Sequence, residues 1–153
     1  MTDSKTINVI HITDPHLCAD KAGLVYGVNA FSNFKGIIQD IHEKAPHADL
    51  VIVTGDIAED LKSETYELAA DLLKDFECGC YWVPGNHDDF SVVPTEIKSK
   101  YIKGEWTLGN WRFIVLDSTV KGEDHGFLST KELQRLRDFL DADLEHPVII
   151  CMH

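Results

Sequence analysis

The chain is predicted to adopt an α/β fold built on a parallel sheet, on three observations. Short β-branched runs alternate with segments of helical periodicity through the first half. The resulting β-α-β-α-β order favours parallel strands joined by right-handed crossovers. Each run also stops at a proline or glycine, next to side chains that carry free lone pairs: Asp14-Pro15-His16, Gly55-Asp56 and Pro84-Gly85-Asn86-His87-Asp88.

Residues 7–13 (INVIHIT) form the first strand. Over residues 28–45, Phe31, Phe34, Ile37, Ile38 and Ile41 recur at three- and four-residue steps and so share one helix face. A second strand covers residues 50–54 (LVIVT), closed by Gly55. Residues 63–76 read as a second helix, with Tyr66, Leu68, Ala69, Leu72, Leu73 and Phe76 on its apolar side and Ser63 as N-cap. Residues 81–83 make the third strand. The pattern then becomes irregular through residues 91–103. Residues 104–108 and 111–117, separated by Gly109-Asn110, predict a β-hairpin. Leu133, Leu136, Phe139 and Leu140 indicate one more helix, and residues 148–152 a last strand.

At 153 residues and 44% hydrophobic content the chain suits one domain with a core of ordinary size. Its 26 acidic against 14 basic residues, a net charge of −12, argue against nonspecific binding to a phosphate backbone. An acidic protein acting on phosphates needs local positive charge, which bound cations can supply. Cys18, Cys78, Cys80 and Cys151 lack zinc or redox spacing and read as reduced thiols. The polar start, residues 1–5, shows no signal peptide, and no apolar stretch reaches the roughly 20 residues of a membrane span. A cytoplasmic protein without membrane contact is expected.

Ligand sites in open α/β sheets collect beyond the carboxyl ends of the strands, where the three motifs fall. In extended backbone residues i and i+2 point the same way, so Asp14 and His16 can converge on one cation. The glycine before Asp56 permits close backbone approach, and a short carboxylate there can bridge two cations. The turn at residues 84–88 offers an amide oxygen and an imidazole. Singly, each motif is as well explained by turn chemistry; their joint appearance after successive strands is not.

The runs D-P-H (14–16), G-D (55–56) and G-N-H-D (85–88) resemble the calcineurin-like metallophosphoesterases over nearly the whole chain. The likeness is closer to the bacterial 3′,5′-cyclic-AMP phosphodiesterase branch through Ile12 to Leu17, Gly27-Val28-Asn29, Leu116-Asp117-Ser118 and His125 to Ser129. Pro15 departs from the small polar residue more usual there. The resemblance implies a four-layer α/β/β/α sandwich with a centre of two divalent or trivalent metal ions. Iron and manganese are favoured and zinc is compatible with the mixed ligands. The family's downstream Gly-His-x-His pair is absent from the 153 residues, which implies the N-terminal portion of a longer domain. This portion alone is expected to hold metal poorly and to be inactive.

Carried over position by position, the resemblance gives Asp14, His16 and Asp56 as ligands of the first metal, with Asp56 bridging to a second held by Asn86 and His153. His87 matches the family's non-ligand histidine, which protonates the leaving oxygen or stabilises developing charge. His16, Asp56, Asn86 and His87 would thereby also contact substrate. Asn29 and His125 are implied as lining of a substrate pocket. Asp88 either orients His87 or caps the turn, and Asp117 has a structural or an indirect role. His11, His42, His47, His125 and His146 read as packing or surface residues. Trp82, Trp106 and Trp111 read as packing, and the acidic runs 58–61 and 138–145 as solvated faces. The expected reaction is hydrolysis of a phosphodiester, 3′,5′-cyclic AMP to 5′-AMP, by a metal-bridging hydroxide. A phosphomonoesterase or nuclease, and a non-catalytic binding module, are the alternatives. The implied partner is a small nucleotide rather than a stably bound nucleic acid, and a dimer is left open.

Overall fold

The computed structural model describes residues 6–153, so the reading of residues 1–5 as free of a signal peptide falls outside the described residues. Strands β1 (Val9–Thr13), β2 (Leu50–Thr54) and β3 (Gly79–Val83) form one parallel sheet in that order. Strands β4 (Glu105–Leu108) and β5 (Trp111–Val115) form an antiparallel hairpin, and β6 (Val148–Cys151) joins β5 in parallel. The helices are α1 (Ala30–Lys44), α2 (Ser63–Leu73), α3 (Thr95–Tyr101) and α4 (Thr130–Asp141).

Strand β2 is buried at every position because both of its faces are covered, which is why it reads as an unbroken apolar run. Its Val51 and Val53 face α1 and α2 in a core with Phe34, Ile38, Tyr66 and Trp82. Leu50 and Ile52 point the other way and meet Phe113, Val115 and Cys151 of the second sheet. Alternation along β5 then turns Arg112 outward, where its guanidinium stacks 4.0 Å from the Phe139 ring of α4. The order of layers is therefore helices, sheet, sheet, helix, as the resemblance implies.

Several boundaries differ from the sequence reading. Residues 95–101 are helical, not irregular: α3 has only Ile97 and Tyr101 as an apolar pair, too short a pattern for periodicity to reveal. Packing stabilises it, with Tyr101 stacked on Trp82 at 4.6 Å. Ser63 is not the N-cap of α2; Lys62 holds that position without a side-chain bond. That helix ends at Leu73, short of Phe76. The hairpin turn is as expected, with Gly109 in the left-handed region that a glycine adopts freely (φ 57°). All four cysteines are free thiols; burial pushes Cys80 up to about 12 and Cys151 up to about 11. No helix among the described residues is long and apolar enough to cross a membrane.

Candidate metal centre

Parallel register brings the strand ends side by side, Thr13 opposite Thr54 and Thr54 opposite Val83. Pairing continues past the strands: the His16 amide donates to Asp56 O at 2.8 Å, and the Leu17 amide to Ile57 O at 2.9 Å. The first two motifs are thereby locked together before any side chain is considered. Asp14, His16 and Asp56 all have left-handed backbone, with φ of 54°, 44° and 51°. Each costs on the order of 1 kcal/mol or more, a strain that persists only where the surroundings over-determine it.

Asp56 is the centre of the arrangement, a carboxylate only 4% exposed. Its Oδ1 accepts from the His87 amide at 2.9 Å. Its Oδ2 lies 3.6 Å from His16 Nε2 and 3.4 Å from His153 Nε2. Asp14 Oδ1 is 3.7 Å from the same nitrogen of His16. Both imidazoles have their other nitrogen engaged: His16 Nδ1 lies 2.8 Å from Glu59 Oε2, and His153 Nδ1 lies 2.9 Å from the Thr54 carbonyl oxygen. A carbonyl and a carboxylate accept, so both Nδ1 atoms donate, and both Nε2 atoms are left directed at Asp56. Such an outer partner on the far nitrogen is the usual device for orienting a metal-binding histidine.

Two glycines make this approach sterically feasible. A Cβ on Gly55 would lie 2.3 Å from His153 Nδ1, and one on Gly85 would lie 2.2 Å from both Asp56 N and Asp56 Oδ1. His153 thus lies over Gly55 and joins the second sheet to the first at the site. Ser118 helps to hold it, donating its hydroxyl to the His153 carbonyl.

Asn86 follows Gly85 in the β3 turn and, with His153, Ser118 and His125, lines a polar cavity of about 200 Å³. His87 Nδ1 lies 3.1 Å from Glu59 Oε2, and its ring meets that of His16 edge-on at 5.2 Å. Glu59 does not sit on a solvated acidic face as expected: one of its oxygens faces both histidines. Asp60 is likewise engaged. Burial alone would raise its carboxyl, but bonds from the Thr65 hydroxyl and the Ala19 amide outweigh burial and hold it below the ordinary value. Only position betrays these residues in the sequence, three and four places after Asp56 on a loop that turns back to the strand-end cluster.

Other expectations are settled by contacts. Asn29 caps α1, its Oδ1 accepting from the Ser32 amide at 2.7 Å, and its Nδ2 donates to Lys21 O at 2.9 Å. Asp117 makes a local turn, accepting from the Thr119 amide and hydroxyl at 2.9 and 2.7 Å. His11 bonds Thr54, His42 stacks on Phe76, and His146 pairs with Asp143. Asp88 neither orients the His87 ring nor merely caps its own turn; it accepts from amides on two loops. Burial raises its carboxyl, and burial together with the Asp88 charge raises the Tyr66 phenol bonded to it.

Among the described residues, two overlapping groups of side chains could hold a cation: Asp14, His16 and Asp56, or His16, Glu59 and His87. The first fits better. It leaves Glu59 as acceptor for His16 Nδ1 and beside His87 Nδ1, and it puts the buried Asp56 carboxylate against the Nε2 atoms of His16 and His153. A two-sheet α/β sandwich with O and N donors converging at the strand ends suits the binding of a divalent cation there.

Comparison with known proteins agrees. The model of the calcineurin-like phosphoesterase family matches residues 7–153, and the chain belongs to that family. It is 30% identical to the 3′,5′-cyclic adenosine monophosphate phosphodiesterase CpdA of Haemophilus influenzae, over 99% of this chain and 56% of that protein. It is 32% identical to CpdA of Escherichia coli K12, over 96% of the chain and 55% of the relative. The figure for the 3′,5′-cyclic-nucleotide phosphodiesterase alr5338 of Nostoc is 30%, over 100% and 58%. The chain thus spans somewhat more than half the length of these relatives. Family membership implies divalent metal ions, for which the groups above are the candidates.

Proposed function

We propose that the full-length protein is a metal-dependent phosphodiesterase that converts 3′,5′-cyclic AMP to 5′-AMP. One observation carries the reading: two imidazoles, each with Nδ1 engaged, direct Nε2 at the same oxygen of a buried carboxylate. In this proposal Asp14, His16 and Asp56 would hold one metal ion, and Asn86 and His153 a second, with Asp56 placed to serve both. Iron and manganese are the metals we favour, with zinc compatible. When bound, such a pair activates water and neutralises charge on the phosphoryl oxygens.

The chain's own side chains supply the rest. Glu59 lies against His87 Nδ1, and His87 would give a proton to the 3′ oxygen as water oxygen bonds to phosphorus and the P–O3′ bond breaks. His16, Asp56, Asn86 and His87 surround the phosphate. An apolar hollow of about 330 Å³ beside Asp14 and His16, walled by Val28, Phe34 and Ile37, is large enough for a nucleobase. The names of the relatives support a cyclic nucleotide as substrate. The net charge of −12 supports a small ligand over a nucleic acid. A cytoplasmic location, supported by four free thiols, belongs to the same proposal.

The test compares hydrolysis of cyclic AMP and of bis(p-nitrophenyl) phosphate by the full-length protein with Mn²⁺. Turnover of both is expected, and Asp56→Asn is expected to abolish turnover and lower bound metal. Retention of both by the variant would show that Asp56 does not bridge. Hydrolysis of the aryl diester without cyclic AMP would overturn the substrate.

A further inference from the structure

Asp88 stands apart from the groups that would touch metal or phosphate, yet its carboxylate is the most heavily bonded near the site. Oδ1 accepts from the Ile57 amide at 3.0 Å, the Ala58 amide at 3.0 Å and the Tyr66 hydroxyl at 3.1 Å. Oδ2 accepts from the Gly85 amide at 2.9 Å and, more weakly, from Ile57 at 3.2 Å. Ile57 and Ala58 follow Asp56 directly; Gly85 immediately precedes Asn86. Tyr66 is fully buried on α2, and its oxygen also accepts from the Asp89 amide at 2.9 Å. One side chain therefore joins the loop after β2, the turn after β3 and the helix layer.

We propose that Asp88 is a positioning residue: its carboxylate, bonded at once to the Ile57, Ala58 and Gly85 amides and the Tyr66 hydroxyl, sets the distance between Asp56 and the Asn86-His87 turn. The chemistry requires a carboxylate. All four partners are donors, and only a group with acceptor capacity on both oxygens satisfies them. Asparagine has the same shape but would turn an NH₂ toward at least one of these donors. The Gly85 and Ile57 amides would then drift apart. The 2.9 Å bond from the His87 amide to Asp56 Oδ1 spans the same gap and would loosen with them.

The inference rests on the proposed metal site only for its effect on metal, so the experiment has a metal-free arm. In the full-length protein, amide exchange at Ile57, Ala58 and Gly85 is compared between wild type and Asp88→Asn. Mn²⁺ affinity and kcat and KM on bis(p-nitrophenyl) phosphate are measured at 10 °C. Leu73→Ala, a core change at the last residue of α2 that removes none of these bonds, serves as a control for general destabilisation. The expected result is exchange at those three amides at least tenfold faster in Asp88→Asn, with β2 and β3 unchanged. Mn²⁺ affinity should fall by about 10–100-fold, the usual effect of losing an outer-shell partner. The fall in kcat should exceed the change in KM. Asp88→Glu should restore part of the affinity, and Leu73→Ala should leave it near wild type. Wild-type exchange in Asp88→Asn would overturn the proposal, as would an equal loss of Mn²⁺ affinity in Leu73→Ala. Faster exchange in a protein whose wild type binds no Mn²⁺ would uphold the loop linkage and overturn the metal site instead.

Discussion

Helices α1 and α2 press Phe34, Ile38, Tyr66 and Ala69 into the β1–β2–β3 sheet, whereas α4 lies on the second sheet without one buried residue. Two arginines hold α4 in place. Arg112 donates to the carbonyls of Phe139 and Asp143, and Arg135 donates to the Val115 carbonyl and to Glu132. Leu133 and Leu140 of α4 remain 49% and 37% exposed, as does Ile150 of β6 at 45%. The difference teaches where the candidate site gets its rigidity. Asp14, His16, Asp56, Asn86 and His87 rise from the sheet whose helices are packed by apolar residues, and only His153 comes from the sheet whose outer helix carries no buried residue.

The largest expected effects contrast the two cores. Trp82→Ala, at a fully buried ring, should cost about 3–5 kcal/mol in urea unfolding, while Leu140→Ala should cost less than about 1 kcal/mol. Similar losses would erase the distinction. Next comes Arg112→Met, which keeps the stem and removes charged donors from two carbonyls. A loss of about 2–3 kcal/mol is expected. Hydrogen exchange should show α4 losing protection ahead of β2; uniform loss would mean that the arginine supports both halves alike.

The smallest effect is one of pH. The Arg135 guanidinium holds the Glu132 carboxyl below its ordinary value of 4.5. A depressed carboxyl gives stability that is present above the unfolded value and lost as pH falls through the folded one. Amides of α4 should therefore lose protection as pH drops below about 4.5, before those of α1. Glu132→Gln should remove that difference between the helices; its persistence in the variant would move the effect to another group.

Much of the apolar half was legible because its chemistry is local. β2 is an unbroken apolar run with both faces covered, and the periodicity of α1 follows from one buried face. The strand-end motifs could be located for the same reason: parallel register turns order along the chain into adjacency in space. What sequence could not give depends on contacts between distant segments. Glu59 looks solvated until residues 16 and 87 are seen on either side of it. Asn29 looks available until Ser32 and Lys21 are found to use both ends of its amide. Helix α3 is seven residues held through Tyr101, which stacks on Trp82 of β3 and bonds the Ala70 carbonyl of α2.

The central claim is that Asp56 lies between two cation sites. Crystals of the full-length protein grown with Mn²⁺ and measured at the manganese absorption edge test it directly. Two anomalous peaks are expected, one against Asp14 and His16 and one against Asn86 and His153, both within bonding distance of the Asp56 carboxylate. A single peak cradled by His16, Glu59 and His87, or none beside Asp56, would contradict the account.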